Sequence, residues 1–322
     1  MARCTSGDPV CLKIAYLFPG QGAQTPGFLR RLPGHSLVRE TLREATQILR
    51  HEVYELDSSN ALTSTVAVQL STLIAGVAVA RALIQEGVRP DAVAGLSVGC
   101  FAAAVIAEAL TFPDALKLVK LRGEAMEKEF RTGFGMAAIL GLNESRVSTL
   151  IKVVRDTHPM LYIANINAPT QIVVAGTVAA LDALIALSLR TGARQAERMR
   201  IAVPSHCPLL ERVSQQLATA FQSIDLKAPL LPYVSNCTAR ATCSAAEVRE
   251  DLIGNVSRTI RWHDTTTVLY ELGVRLFIEP PPGRVLTSLV QNGYPDACAV
   301  AVEFSGLDDA VTLGRRGRKC AE

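Results

Sequence analysis

The stretch Asp91-Ala92-Val93-Ala94-Gly95-Leu96-Ser97-Val98-Gly99-Cys100-Phe101-Ala102-Ala103-Ala104-Val105-Ile106-Ala107-Glu108 decides the fold class. Asp91 to Gly95 reads as a short strand. Ser97 to Glu108, small and apolar, predicts a helix that follows with almost no loop. At the junction lies Gly95-Leu96-Ser97-Val98-Gly99, a G-x-S-x-G pattern. A serine on so tight a strand-to-helix turn holds its hydroxyl outward, and the flanking glycines let the backbone crowd past. The new helix also aims amide donors and the positive end of its dipole at a developing oxyanion. The bland alternative is a packing turn of small residues; the position between strand and helix favours a nucleophile.

Upstream, Ile14–Phe18 is another apolar strand, closed by Pro19-Gly20. The loop Phe18-Pro19-Gly20-Gln21-Gly22-Ala23-Gln24 is not a nucleotide loop. No G-K-S/T ends it, and Thr25 stands where a dinucleotide fingerprint needs glycine. It is either a simple turn or a loop that offers an amide beside the serine. Thr63 to Gln85 is apolar all round, the pattern of a helix buried on most faces. Pro113 to Phe130 is amphipathic and opens with Pro113 and Asp114, a helix start signal. From Gly133 the texture changes to strand Met136–Leu140, helix Glu144–Arg155, strands Leu161–Ile166 and Gln171–Ala175, helix Val178–Ser188 and strand Glu197–Ala202. That β-α-β-β-α-β order matches the ferredoxin-like arrangement. The expected fold is therefore α/β: a large α/β-hydrolase-like domain over 13–132 and 203–310, with a small ferredoxin-like domain inserted at 133–202. Residues 1–12 and 311–322 are expected to be flexible termini. The basic run Arg315, Arg316, Arg318 and Lys319 reads as a solvated tail.

With 322 residues, 49% of them apolar and 20% charged, the chain has the composition of a globular enzyme, and disorder is excluded. A net charge of +3 is too weak to argue for a nucleic-acid partner. No apolar stretch approaches the ~18 residues of a bilayer span, because Arg81 breaks the run from Leu73 to Ala80. Asp8 and Lys13 interrupt any secretory h-region. The expected location is cytoplasmic, with no membrane partner. Cys4, Cys11, Cys100, Cys207, Cys237, Cys243, Cys298 and Cys320 contain no C-x-x-C pair and are expected as free thiols, with no metal site. Among the histidines, His35 and His158 lie in proline-containing loops, His51 in a polar helical stretch and His263 at a helix start. His206 differs, sitting in the apolar, sharply turned Val203-Pro204-Ser205-His206-Cys207-Pro208-Leu209. Alone it would read as a satisfied core residue. Beside an exposed serine it becomes the base that an acyl-serine mechanism needs.

In order, Phe18-Pro19-Gly20-Gln21-Gly22, the G-x-S-x-G turn, Leu121-Arg122-Gly123 and Pro204-Ser205-His206-Cys207 resemble the malonyl-CoA:acyl-carrier-protein transacylase family. Asn165-Ile166-Asn167-Ala168-Pro169, Val173-Val174-Ala175-Gly176, the stretch from Asn255 to Trp262, and Pro282-Gly283-Arg284-Val285-Leu286-Thr287 extend the resemblance over about residues 13–300. It implies Ser97 as the acylated nucleophile and His206 as its base. It implies backbone amides of Gln21 and Val98 as the oxyanion hole, and Arg122 as the grip on the free carboxylate of malonate. A guanidinium fork suits a carboxylate, which it meets with two parallel bonds; sequence alone favours a surface arginine on a helix.

Two positions depart from the family. Leu96 stands where histidine usually precedes the nucleophile. Asn255 stands where glutamine often orients the catalytic histidine through its carbonyl, and asparagine keeps that acceptor one methylene shorter. Both departures, with Arg261-Trp262-His263 and Glu279-Pro280-Pro281-Pro282-Gly283, resemble the epsilon subunit of bacterial malonate decarboxylase. The resemblance thus implies malonyl transfer from malonyl-CoA to a carrier thiol. The main expectation for the acceptor is the malonate decarboxylase carrier subunit, and the alternative is an acyl carrier protein of fatty acid or polyketide synthesis. No metal or redox cofactor is implied. A serine hydrolase and an inactive scaffold subunit are the rival readings.

Overall fold

The computed structural model describes residues 12–130 and 132–319. Strand β1 (Lys13–Phe18) leads to helices α1 (Ser36–Leu49) and α2 (Thr65–Gln85), then to strand β2 (Ala92–Gly95) and helices α3 (Gly99–Ile106) and α4 (Phe112–Glu129). Next come β3 (Phe134–Leu140), α5 (Glu144–Arg155), β4 (Leu161–Ala168), β5 (Gln171–Thr177), α6 (Val178–Arg190) and β6 (Gln195–Arg198). The last third holds α7 (Glu211–Ala220), β7 (Tyr233–Val234), β8 (Ala241–Thr242), α8 (Ala245–Gly254) and α9 (Trp262–Glu271). It ends with β9 (Val274–Glu279), α10 (Val285–Gly293), β10 (Cys298–Ala301), α11 (Val302–Ser305) and α12 (Leu307–Lys319).

The strands form two sheets. The larger has the order β10-β9-β1-β2-β7-β8 and is parallel except for the β7–β8 pair. Parallel sheets are covered on both faces, so their strands are continuously apolar, as Ile14 to Phe18 are and as their burial shows. The smaller sheet has the order β4-β5-β3-β6 and is antiparallel throughout, with α5 and α6 as its crossovers. β1 lies between β2 and β9, with Phe18 opposite Gly95. The loop after β1 and the turn after β2 therefore emerge side by side at the carboxyl ends of the strands, where open α/β sheets bind ligands.

Four expectations need correction. First, α2 is long and apolar enough to cross a membrane, with a mean hydropathy of 1.8, yet 89% of that stretch is buried inside the protein. It is a core helix, packed by α1, α3 and α4. Second, the expected helix from Ser97 begins only at Gly99, because Ser97 has φ 56, outside helical space. Third, the strand expected at Glu197–Ala202 is Gln195–Arg198. Beyond Arg198 the Met199 amide still bonds the Met136 carbonyl of β3 at 2.9 Å, but the regular ladder has ended, and Met199 and Ile201 line a cavity. Fourth, the C-terminal segment up to Lys319 is not a loose tail. In α12, Ala310 and Val311 are buried, and Gly314 lies against Val88. Two of its basic residues are tied down: Arg315 bonds Glu86 at 2.8 Å and Arg318 bonds Asp91 at 3.0 Å. The expected flexible residues 1–11 and 320–322 lie outside the described residues.

Candidate active site

The glycines of the G-x-S-x-G turn are dictated by contact. A Cβ on Gly95 would stand 2.1 Å from the backbone of Gly99, and one on Gly99 would stand 2.2 Å from the Phe18 carbonyl oxygen. The turn is thus pressed against itself and against the end of β1. Ser97 lies at its apex with φ 56, a left-handed conformation rare for a residue with a side chain. Its amide donates to Asn236 Oδ1 at 2.9 Å. The amides of Gln21 and Val98 have no protein acceptor among the described residues.

His206 reaches the same place from the far end of the chain. Helix α8 ends at Gly254, and the carbonyls beyond a helix end lack helical partners. His206 takes two of them: its backbone amide donates to the Val256 carbonyl at 2.8 Å, and its Nδ1 lies 2.5 Å from the Asn255 carbonyl. A carbonyl can only accept, so Nδ1 carries the proton and Nε2 is left as the basic nitrogen. Burial first, and the Arg122 charge second, push the His206 pKa down to about 3, against the pull of the Asn255 carbonyl. The imidazole is neutral near pH 7, as a base must be. His206 also has positive φ, 63°.

This geometry corrects the expected role of Asn255. Its backbone carbonyl, not its side chain, holds the histidine. The carboxamide points elsewhere: Nδ2 donates to the Asp251 carbonyl at 2.9 Å and to Cys100 Sγ at 3.1 Å, and Oδ1 accepts from Arg122 Nη2 at 3.4 Å.

Arg122, expected on sequence grounds alone to be a surface residue, is 1% exposed. It projects from α4, which packs closely on α2. Nη1 donates to Gln69 Oε1 at 2.5 Å and Nη2 to Ser97 Oγ at 3.2 Å, while the buried Nε has no partner. No carboxylate pairs with it among the described residues. Desolvation lowers its pKa to about 10, still charged at neutral pH. A buried cation without a counter-ion is expensive, and this one lies beside Ser97 with a donor to spare.

Gln21, Leu96, Ser97, Arg122 and His206 line one cavity of about 190 Å³. Met126, Met136, Val173 and Ile201 supply apolar wall, and Asn165 and Asn167 from β4 supply amides. Asn165 Oδ1 is buried and unpartnered. The site is thus lined from both sheets, by the ends of β1 and β2 on one side and by β3, β4 and β5 on the other. Ser97 Oγ accepts from Arg122 Nη2 at 3.2 Å and does not donate to His206 Nε2, a looseness common before substrate binds. Sequence reasoning missed Gln69, Asn236 and Asp251, none of which lies in a recognisable motif. Among the described residues no group of three or more His, Cys, Asp or Glu side chains could hold a metal ion.

The sequence profile of the acyl transferase domain matches residues 15–316. Over 306 residues the chain is 33% identical to the malonyl CoA-acyl carrier protein transacylase of Haemophilus influenzae, covering 93% of this chain and 98% of that protein. The protein of the same name from Bacillus subtilis is 32% identical, with 87% and 90% covered. Among solved structures, the acyl-carrier-protein S-malonyltransferase of Burkholderia pseudomallei matches with a TM-score of 0.89 at 33% identity, covering 94% of this chain and 100% of that one. A malonyl-transacylase solved in complex with its type II PKS acyl-carrier protein also gives 0.89, at 31% identity and with 94% and 99% covered.

Proposed function

The chain belongs to the acyl transferase domain family, and on that premise we propose that it moves a malonyl group from malonyl-CoA to the thiol of an acyl carrier protein through malonyl-Ser97. The observation that carries the proposal is Arg122, a buried cation beside the nucleophile whose Nε lacks a partner. Its Nε–Nη2 edge grips the free carboxylate of the malonyl group with two parallel bonds. That contact draws Nη2 away from Ser97 Oγ and frees the hydroxyl to turn toward His206. His206 Nε2 takes the hydroxyl proton as Oγ attacks the thioester carbonyl, and the Gln21 and Val98 amides receive the oxyanion. The C–S bond then breaks, and the coenzyme A sulfur leaves with the proton from His206. The carrier thiol gives its proton to His206, attacks malonyl-Ser97 and restores the hydroxyl by the reverse path.

The acceptor we propose is an acyl carrier protein of fatty acid or polyketide synthesis. The relatives favour this alternative over the malonate decarboxylase carrier expected first, since they are named for acyl carrier proteins and one is bound to such a protein. Asn255 no longer supports the decarboxylase reading, because a backbone carbonyl can come from any residue. We read the small unit as ferredoxin-like on its strand order, the large one as α/β-hydrolase-like on its serine turn, and the protein as cytoplasmic.

The test is brief incubation with malonyl-CoA followed by peptide mass analysis. One malonyl group should appear, on the peptide containing Ser97, and Ser97→Ala should abolish both adduct and transfer. A fully active Ser97→Ala enzyme overturns the mechanism. In a competition between the two carriers, a tenfold preference for the decarboxylase carrier overturns the acceptor.

A further inference from the structure

We infer that Asn236, held by Asp251, is a positioning residue that fixes the backbone of the nucleophile turn in its strained shape; this rests on Ser97 being the nucleophile, as proposed above. β7 runs beside β2 for only two residues, Tyr233 opposite Val93 and Val234 opposite Ala94. Where the backbone ladder stops, a side chain continues it. Asn236 Nδ2 donates to the Gly95 carbonyl at 2.6 Å, and Asn236 Oδ1 accepts from the Ser97 amide at 2.9 Å. One fully buried carboxamide thereby bridges both sides of the turn.

The orientation of that carboxamide is fixed, because reversed it would set donor against donor at Ser97 and acceptor against acceptor at Gly95. Asp251 reinforces it by accepting from Nδ2 at 3.5 Å. Asp251 is itself buried and saturated, taking the Tyr233 hydroxyl and the Ser235 hydroxyl at 2.6 Å each and the Cys237 amide at 3.1 Å. The device has a second consequence. With the Ser97 amide consumed, that amide is not available to an oxyanion, while those of Gln21 and Val98 are. A left-handed residue relaxes unless its surroundings over-determine it, and Asn236 supplies the constraint on Ser97.

The experiment compares wild-type, Ser97→Ala, Asn236→Ala and Asn236→Asp enzymes. For Asn236→Ala, kcat for malonyl transfer and the rate of Ser97 labelling by a fluorophosphonate should fall at least tenfold. KM for malonyl-CoA should stay within about threefold, since Arg122 and the cavity walls are untouched. Asn236→Asp is isosteric. Ionised, it sets an anion against the Gly95 carbonyl and Asp251; protonated, it regains the donor. Its activity relative to wild type should therefore rise as pH falls. The other titratable groups clustered there are Asp251, Tyr233, Cys237 and Cys100; Asp251 faces the new carboxyl directly, so the rise reports the protonation of that pair. An Asn236→Ala enzyme with a lower melting temperature but kcat within twofold of wild type overturns the inference. Should that variant not fold, a flat Asn236→Asp to wild-type ratio across pH overturns it instead. An active Ser97→Ala enzyme would sink the nucleophile assignment itself, a separate failure.

Discussion

Replacing Arg122 with methionine separates what the residue does for recognition from what it costs the fold. The substitution keeps an unbranched side chain of similar length but removes every donor. On the proposed mechanism two donors, Nε and Nη2, meet the malonyl carboxylate: the first has no partner and the second makes only contacts of 3.2 and 3.4 Å. A hydrogen bond to a charged group contributes about 1.5–3 kcal/mol, so losing the pair should cost ~3–6 kcal/mol of transition-state binding. At about 1.4 kcal/mol per decade, kcat/KM with malonyl-CoA should fall by about two to four orders of magnitude. Acetyl-CoA has no carboxylate, and its transfer should be unchanged or faster. Stability should change little. Gln69 Oε1 and Asn255 Oδ1 lose a donor, at about 1–3 kcal/mol each, but a buried charge without a counter-ion disappears, a gain of similar size. The melting temperature should stay within a few degrees. The assay is initial-rate transfer from each thioester to a purified carrier, with thermal denaturation alongside. Equal losses with malonyl and acetyl donors, or collapse of the fold, would refute the reasoning.

Because burial and Arg122 hold His206 neutral down to about pH 3, labelling of Ser97 by an uncharged reagent should stay level from about pH 8 to 5; an acid limb at the ordinary histidine value near 6.5 would contradict this. The sign for stability follows: the fold prefers the neutral ring, so this contribution is full above about 6.5 and is lost as pH falls toward the depressed value. His206→Gln, which cannot charge, should therefore melt with less acid sensitivity than wild type. Gly99→Ala pushes a methyl to 2.2 Å from the Phe18 carbonyl and should cost ~3 kcal/mol or more in chemical denaturation, with transfer lost at the same time. Ala310→Asp, which buries a charge in α12, should destabilise by more than ~3 kcal/mol, whereas Arg315→Ala, which loses an exposed pair, should cost less than ~1 kcal/mol; a solvated tail would make both silent.

The nucleophile turn was legible because its constraints are local: Gly95 and Gly99 are forced by atoms within a few residues or on the strand beside them. His206 stood out by its apolar, sharply turned segment and by the need of a serine for a base, whereas Arg122 was legible only through resemblance, since nothing in a window around it reveals a buried neighbour. The misassigned role of Asn255 shows a different limit. A backbone carbonyl leaves no mark on residue identity, so the side chain received credit for a bond made by the main chain. Asn236 was invisible for a third reason. It meets Ser97 across 139 residues of sequence, a contact created by the β2–β7 crossover and by no pattern near either end. The C-terminal helix misled because charge was weighed before spacing: Ala310, Val311, Gly314 and Gly317 recur on one face, and the arginines lie beside it.

Ser97 and His206 share one property beyond their chemistry: both backbones are left-handed, at φ 56 and 63. Glycine would sit at either position more comfortably, by about 1–2 kcal/mol. Against a total stability of ~5–15 kcal/mol, that is a standing handicap, tolerated only while the side chains are needed. A descendant released from selection for acyl transfer would drift downhill to glycine at both positions and emerge as a sturdier, silent protein. Serine and histidine at these two positions thus carry a backbone cost that the proposed chemistry has to justify.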